Sequence, residues 1–226
     1  MPSDPASKPA TDASVQLRLH ILTTEHSSLL ATRSLAWNEV FARAGMLLTT
    51  LSGALVAMAL VSQGSHFGDE FLLFGIVVLP VVLFVGLGTF ARIAAANYVD
   101  AMCVIGMNRL RAGYIELAPD LERFFVTGIR DDMPGVSITM GIVPGGSQLV
   151  HMMAATPTLV SVLNSVLLSA IIAFVLLYVH AAVALVFAVG IPVFIVCFAA
   201  HSEFGRRRVM RMQGAMVPRF PAPPSA

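Results

Sequence analysis

The sequence is short of charged residues. Only 12% of its 226 residues are Asp, Glu, Lys or Arg, and 57% are hydrophobic. Soluble domains carry about 25% charged residues, so this shortage excludes an ordinary water-soluble chain. No charged residue or histidine lies in residues 44–63, 71–91, 158–179 or 182–200. Each stretch has about twenty residues, enough to cross the hydrocarbon layer as a helix. The sequence therefore predicts an all-α integral membrane protein with four transmembrane helices in two hairpins.

Recognisable catalytic and cofactor-binding motifs are also lacking. The sequence has no P-loop, GxGxxG, HExxH, GxSxG or zinc-binding spacing. Its two cysteines, Cys103 and Cys197, fall in separate helical stretches, so we expect no disulfide. Asp131-Asp132 with His151 comes nearest to a metal site, but the further oxygen ligands that a hard cation needs are missing. We expect no enzymatic activity and no cofactor or metal.

All fourteen Lys and Arg residues lie in residues 1–43, 92–157 or 201–226. The two turns on the other side of the spans, residues 64–70 and 179–181, contain none. Because cytoplasmic segments carry the excess of Lys and Arg, both termini and the central loop are predicted to be cytoplasmic.

The chain divides into five predicted segments. Residues 1–14 form a disordered tail, and residues 15–117 form the first hairpin, with spans at about 44–63 and 71–91. Residues 118–157 are a cytoplasmic loop, in which 136–143 are a short strand or a piece lying on the membrane surface. Residues 158–200 form the second hairpin, with spans at about 158–179 and 182–200. Residues 201–226 are a basic cytoplasmic tail, helical over 201–213 and free from Pro218 onward.

The first hairpin is predicted to extend beyond the membrane. Residues 71–117 read as one helix that is apolar up to Ala91 and polar beyond it, with no helix breaker at the change. Folding it against residues 15–62 pairs residues whose numbers sum to about 134. We expect a cytoplasmic antiparallel stalk with two contacts, Arg18 to Glu116 and Glu25 to Arg109, while Arg33 and Asp100 share a level but a less suitable face. The alternative is that these charges solvate two separate amphipathic helices.

Small and polar residues recur inside two spans. They are Gly45, Thr49, Gly53 and Ala57 in the first span, and Ser161, Asn164, Ser165 and Ser169 in the third. Small residues let helices approach closely in lipid, so we predict that both sets are packing surfaces and that Asn164 forms an interhelical hydrogen bond. The alternative for the hydroxyl residues is the lining of a hydrophilic pore.

A basic cluster follows the fourth span, at Arg206, Arg207, Arg208 and Arg211. Arginines near the membrane surface attract anionic lipid headgroups, and they also fix the orientation of a span. We expect both roles, with orientation as the main one. Nucleic acid binding is not expected, because the cluster is short and has no interleaved aromatic residues.

Several local motifs suggest a family. Thr24-Glu25-His26, Leu30–Glu39, Met107-Asn108-Arg109 and Asp131-Asp132 resemble an uncharacterised family of small bacterial four-span membrane proteins, over most of residues 17–132. This resemblance implies a bacterial inner membrane but no activity. The layout of residues 15–117 is more loosely similar to SLATT-type effector domains of bacterial defence systems, which are proposed pore formers. This chain adds a second hairpin that the SLATT type lacks.

The resulting hypothesis is a non-enzymatic multi-pass inner-membrane protein that forms a homo-oligomer. Its stalk would act as a scaffold or sensor, binding further copies or a cytosolic protein partner, with membrane lipid around the spans. The first alternative is a pore- or channel-forming effector. The second is a lipid-modifying enzyme, for which only Asn97, Asp100, Asn108 and His151 are available as polar groups.

Overall fold

The computed structural model describes residues 8–141 and 156–221, without the side chains of residues 8–11 and 215. Within this part of the chain every regular element is a helix, and there is no strand. Four of the helices are long and apolar enough to cross a membrane. The all-α class and the four candidate spans are therefore confirmed.

The first two helices are the longest. Helix α1 runs from Lys8 to Ser65 and helix α2 from Asp69 to Leu117, where Ala118-Pro119 follows. The turn between them contains His66 and Phe67 with φ of 51° and 61°, and the Gly68 N–H donates to the Ser65 carbonyl at 2.9 Å. Residues 8–14 are helical rather than disordered as expected, and Pro9 is compatible with this because proline fits the first helical turn.

The segment after α2 is only partly regular. A short 3-10 helix spans Pro119–Phe124 and helix α3 spans Met133–Thr139. The short strand expected over 136–143 is therefore wrong for residues 136–139, the alternative of a piece lying on the membrane surface stays a prediction, and residues 142–143 lie outside the described residues. The reason is local: the Asp132 carboxylate caps α3 by accepting from the Gly135 N–H at 2.8 Å, and Pro134 fits the first turn.

The last two helices correspond to the third and fourth spans. Helix α4 covers Thr156–Tyr178 and helix α5 covers Val183–Ala215. The turn between them holds His180 with φ of 55°. Helix α5 passes from apolar sequence into the basic cluster without a break, so the helical extension expected over residues 201–213 is present.

The chain divides into two compact units. Unit 1 contains the described parts of Met1–Trp37, Tyr98–Gly146 and Gln213–Ala226. Its core is formed by Val104, Ile105, Met107 and Val136, with Leu29 and Met216 packed against it. A Cβ on Gly106 would lie 2.7 Å from Leu29 Cδ1, so Leu29 packs directly on this glycine of α2.

Unit 2 contains the described parts of Asn38–Asn97 and Ser147–Met212. Its buried apolar side chains come from α1, α2 and α4 and include Val40, Leu47, Leu79, Val82, Ile93, Val160 and Leu167. Glycines allow close contacts here too. A Cβ on Gly75 would lie 2.2 Å from the Phe174 ring, and a Cβ on Gly86 would lie 2.0 Å from Asn164 Oδ1.

Candidate functional site

A buried polar group of unit 1 with several hydrogen-bond donors is the carboxylate of Asp131, which is 1% exposed. It accepts hydrogen bonds from Arg109 Nε at 2.7 Å and from the backbone N–H groups of Arg219 and Phe220, each at 2.8 Å. Arg109 Nη2 also donates to the Val217 carbonyl at 3.1 Å. We call these five residues the Asp131 clamp. The clamp holds residues 217–220 by their backbone, so the free tail expected from Pro218 onward is wrong for residues 218–220, and residues 222–226 lie outside the described residues.

Asn108 positions the loop that carries Asp131. Its side chain is fully buried, and its Nδ2 donates to the Arg130 carbonyl at 2.7 Å. Its Oδ1 accepts from Arg111 Nη1 at 2.8 Å and from Thr139 Oγ1 at 2.9 Å. One amide on α2 therefore fixes both the residue before Asp131 and the last turn of α3.

The protonation of Asp131 follows from its contacts. Burial of Asp131 by itself raises the pKa, but hydrogen bonds from the Arg219 N–H, the Arg109 guanidinium and the Phe220 N–H outweigh it, so the pKa lies below its ordinary value. The carboxylate is therefore ionised at neutral pH, with its oxygens engaged by donors of this chain. A carboxylate in this state stabilises structure and is poorly suited to act as a general base.

A second buried carboxylate in unit 1 belongs to Asp100, which is 2% exposed. Its Oδ1 accepts from Arg33 Nε at 2.5 Å and from Trp37 Nε1 at 2.9 Å. The pairing of Arg33 with Asp100, considered less suitable from the sequence, is thus an ion pair between α1 and α2. Trp37, the only tryptophan, supplies the second donor to this buried carboxylate.

The expected stalk contacts are not those that the structure forms. Arg109 binds Asp131 instead of Glu25, and no ion pair of Arg18, Glu25 or Glu116 occurs among the described residues. Asp131 is the more demanding partner, because a buried carboxylate needs a charge-assisted donor and the exposed Glu25 does not. The contacts between α1 and α2 in unit 1 include Leu22 with Gly113 and Leu29 with Gly106, and both pairs of numbers sum to 135.

In unit 2 a polar contact joins α4 to α5. Asn164 is fully buried, and its Nδ2 lies 3.4 Å from His201 Nε2. His201 Nδ1 lies 2.8 Å from the Cys197 carbonyl, which can only accept, so Nδ1 carries the proton and Nε2 accepts from Asn164. Asn164 Oδ1 has no hydrogen-bond partner and rests against Gly86. The interhelical hydrogen bond predicted for Asn164 is present.

The two sets of small residues differ in burial. Ser161 and Ser165 are buried, and each hydroxyl donates to a carbonyl of α4 itself, whereas Ser169 Oγ reaches the Gly190 carbonyl of α5 at 3.1 Å. In α1, Thr49 is exposed, and the space beside Gly45 and Gly53 is open. Ala57 is half-buried. Within the described chain nothing packs closely on these two glycines, so packing on the α1 set stays a prediction.

The basic cluster is partly neutralised. Glu203 accepts from Arg206 Nε at 2.7 Å and from Arg207 Nε at 2.6 Å, and these bonds lower its pKa to about 2. Arg208 and Arg211 have no ion pair among the described residues. Lipid binding by the four arginines stays a prediction.

Among the described residues no group of three or more His, Cys, Asp or Glu side chains could hold a metal ion. Of the Asp131-Asp132 and His151 set, His151 lies outside the described residues. No protein-family model, curated protein or solved structure matches the chain.

Sequence reasoning missed the clamp because its parts are distant in the chain and individually ordinary. In the sequence, Asp131-Asp132 comes nearest to an incomplete metal site, and the residues from Pro218 onward are predicted to be a free end. The available signals were the apolar pair Met216-Val217 after the basic cluster and the helix cap at Asp132-Met133-Pro134. Neither signal indicates that Arg109 binds Asp131.

Replacement of Asp131 by Asn should destabilise unit 1. The amide keeps the shape but brings an N–H₂ group toward three donors, and hydrogen bonds to a charged group are worth about 1.5–3 kcal/mol. We expect D131N to lower the thermal unfolding midpoint and to speed proteolytic removal of a tag placed after Ala226. D120N, a change of an exposed carboxylate in the same loop, is the control. Equal behaviour of the two variants would contradict the clamp.

The clamp should also respond to acid. Because the folded pKa of Asp131 is depressed, its contribution is fully present above the ordinary carboxyl pKa of about 4 and is lost as pH falls through the lower folded value. Tag release in the wild type should therefore be the same at pH 7 and pH 5 and rise only below about pH 4. In D131N this rise relative to neutral pH should be smaller.

Position 86 should not tolerate a side chain, whereas position 88 should tolerate one. A Cβ at residue 86 would lie 2.0 Å from Asn164 Oδ1, so the buried amide must move away from His201, whereas the space beside Gly88 is open. We expect Gly86→Ala to lower thermal stability in detergent. Gly88→Ala should leave it unchanged or raise it slightly, because alanine favours helix by about 1 kcal/mol. Similar midpoints for the two variants would exclude the close contact.

Proposed function

We propose that this chain is a non-enzymatic multi-pass protein of a bacterial inner membrane. It self-associates, and it uses the helical segments outside the lipid as a scaffold or sensor. The observation that carries the proposal is the Asp131 clamp. Membrane anchoring alone does not require a buried carboxylate bound by one side-chain and two backbone donors, whereas a unit with a defined binding surface does benefit from such a fixed polar network.

Helix length supports a folded region outside the lipid. Helix α1 has 58 residues and α2 has 49, or about 87 and 74 Å at 1.5 Å per residue, against roughly 30 Å of hydrocarbon. Unit 1 contains the polar continuations of both helices. We propose that these continuations form the antiparallel stalk, with both termini and the loop in the cytoplasm and the four spans arranged as two hairpins.

The buried acidic groups favour a structural role over catalysis. Asp100 and Asp131 are ion-paired within unit 1, and Asn108 makes three hydrogen bonds with Arg130, Arg111 and Thr139. A hydrolase or transferase acting on lipid needs an acid, base or nucleophile that reaches substrate. Asp100 and Asn108 are two of the polar groups considered for such an enzyme. Both are buried and bound to other residues of the chain.

The pore alternative is less well supported. The hydroxyls of Ser161 and Ser165 donate to carbonyls of their own helix, at 2.8 and 2.7 Å. A hydrophilic pore needs polar groups turned toward water along its length. Helix α4 instead buries these hydroxyls, together with Asn164, inside unit 2.

Native mass in lipid nanodiscs tests the proposal. We expect each disc to contain two or more copies of the full chain. The protein-to-disc ratio should be one at which a monomeric control membrane protein gives one copy per disc. In closed membrane vesicles with the cytoplasmic face outward, added protease should remove a tag placed after Ala226. A tag at Ser65 should be protected. A single copy per disc at all protein concentrations would contradict self-association, and steady ion leakage from reconstituted vesicles would favour the pore.

The basic cluster allows a separate test of the proposed lipid contact. Replacing Arg208 and Arg211 together by Gln should reduce the number of phosphatidylglycerol molecules retained in native mass spectra. The surface attraction is about 1 kcal/mol for each arginine. Arg123→Gln, which removes one exposed charge in the loop away from the cluster, is the control and should change retention little. Equal retention of phosphatidylglycerol by the wild type, the double variant and Arg123→Gln would contradict a headgroup site at Arg208 and Arg211.

A further inference from the structure

One face of α1 in unit 1 is exposed and carries no charge. Its residues are Leu17, Ile21, Thr24, Ser28, Ala31 and Leu35, which we call the α1 stripe. All six are exposed, and Leu17, Ile21 and Leu35 are exposed by 61%, 58% and 70%. A helix that packs on one side normally turns charged and polar residues to water on the other.

The α1 stripe lies opposite the face that α2 covers. The residues of α1 that contact α2 in unit 1 include Leu22, Leu29 and Arg33. At 100° per residue, these three point to one side of the helix and the stripe to the other. Unit 1 therefore has its own core on one side of α1 and an uncharged, partly apolar surface on the other.

The spacing of the stripe is that of a coiled-coil seam. Its six residues follow one another at steps of four, three, four, three and four, the alternation of a and d positions in a heptad repeat. The middle of the stripe, Thr24, Ser28 and Ala31, is small, which lets two helix backbones come close. Leu17, Ile21 and Leu35 supply larger side chains at the two ends.

The polar residues that flank the stripe favour a second copy as the occupant, because His20 can donate a hydrogen bond to the Glu25 carboxylate. Two copies that cross the membrane in the same direction present their α1 helices in parallel. In a parallel coiled coil each g position faces the e position five residues later in the partner, and here this places His20 opposite Glu25 twice, once on each side. The next pairs, Ala13 with Arg18 and Ser27 with Thr32, bring no like charges together.

We propose that the α1 stripe is the interface through which two copies of this chain pair in parallel. This inference rests on the proposed self-association and assigns it a surface. It also gives Glu25 a role, since Glu25 has no ion pair among the described residues.

Charge insertion tests the interface. Ile21→Glu and Ala31→Glu each place a carboxylate in the stripe, and we expect each to raise the dimer dissociation constant in vesicles at least tenfold, measured by energy transfer between labelled full-length copies. The matched control is Thr23→Glu on the same helix, because Thr23 is exposed and lies outside the stripe. Thermal unfolding should be similar for the three variants, since all these positions are exposed.

A charge exchange tests the direction of pairing. His20→Glu should weaken the dimer by opposing two carboxylates, and adding Glu25→Lys should restore it. Ser28→Cys, placed in a Cys197→Ser background, should form a disulfide with Ser28→Cys of a second copy, whereas Thr23→Cys should not. Cys103 is buried and does not compete.

The outcomes separate the two proposals. Oligomers that survive Ile21→Glu and Ala31→Glu, with no Ser28→Cys disulfide, would overturn this interface and leave self-association through another surface. A chain that stays monomeric without any substitution would overturn both. If Glu25→Lys does not restore the dimer weakened by His20→Glu, while Ser28→Cys still crosslinks, the His20–Glu25 pairing that favours a second copy would be overturned.

Discussion

The cost of removing a carboxylate from water is the constraint on which unit 1 depends. Asp131 and Asp100 are both almost fully buried, and an unpaired charge in such a place costs several kcal/mol. Each therefore collects donors from separate parts of the sequence: Asp100 from α1, and Asp131 from α2 and from the C-terminal segment. The apolar core of unit 1 gives cohesion, whereas these two acids determine which segments must be present together.

The cost of burying polar groups explains which features of the fold could be predicted from the sequence. Hydropathy alone identified the four candidate spans, because the hydrocarbon layer demands long uncharged helices. The end of α2 at Leu117 followed from Pro119, and Leu22 with Gly113 and Leu29 with Gly106 fall close to the expected sum of 134. The partner of Arg109 could not be predicted, because Asp131 lies beyond the helix pair and its burial is a property of the folded loop.

Asn164 illustrates the same division in unit 2. A lone amide in a span must find a partner, so its interhelical hydrogen bond could be predicted from its position in the sequence. Its particular partner, His201, and the role of Gly86 could not, since they depend on the packing of α2, α4 and α5 at the level of single atoms. Gly86 leaves room for an oxygen that has no hydrogen-bond donor, and a contact with the glycine Cα–H is the weak interaction available to it.

The use of charges inside unit 1 also shapes its outer surface. Arg33 of α1 donates to Asp100 within the unit, so it is turned away from the α1 stripe. Because Arg33 faces α2, and Arg18 and Glu25 lie beside the α1 stripe rather than in it, the stripe itself carries no charge. In water such a face favours contact with a similar surface. The Asp100 pair and the proposed pairing of two α1 helices are thus linked: Arg33 points toward α2, and the opposite side of α1 stays open to a second copy.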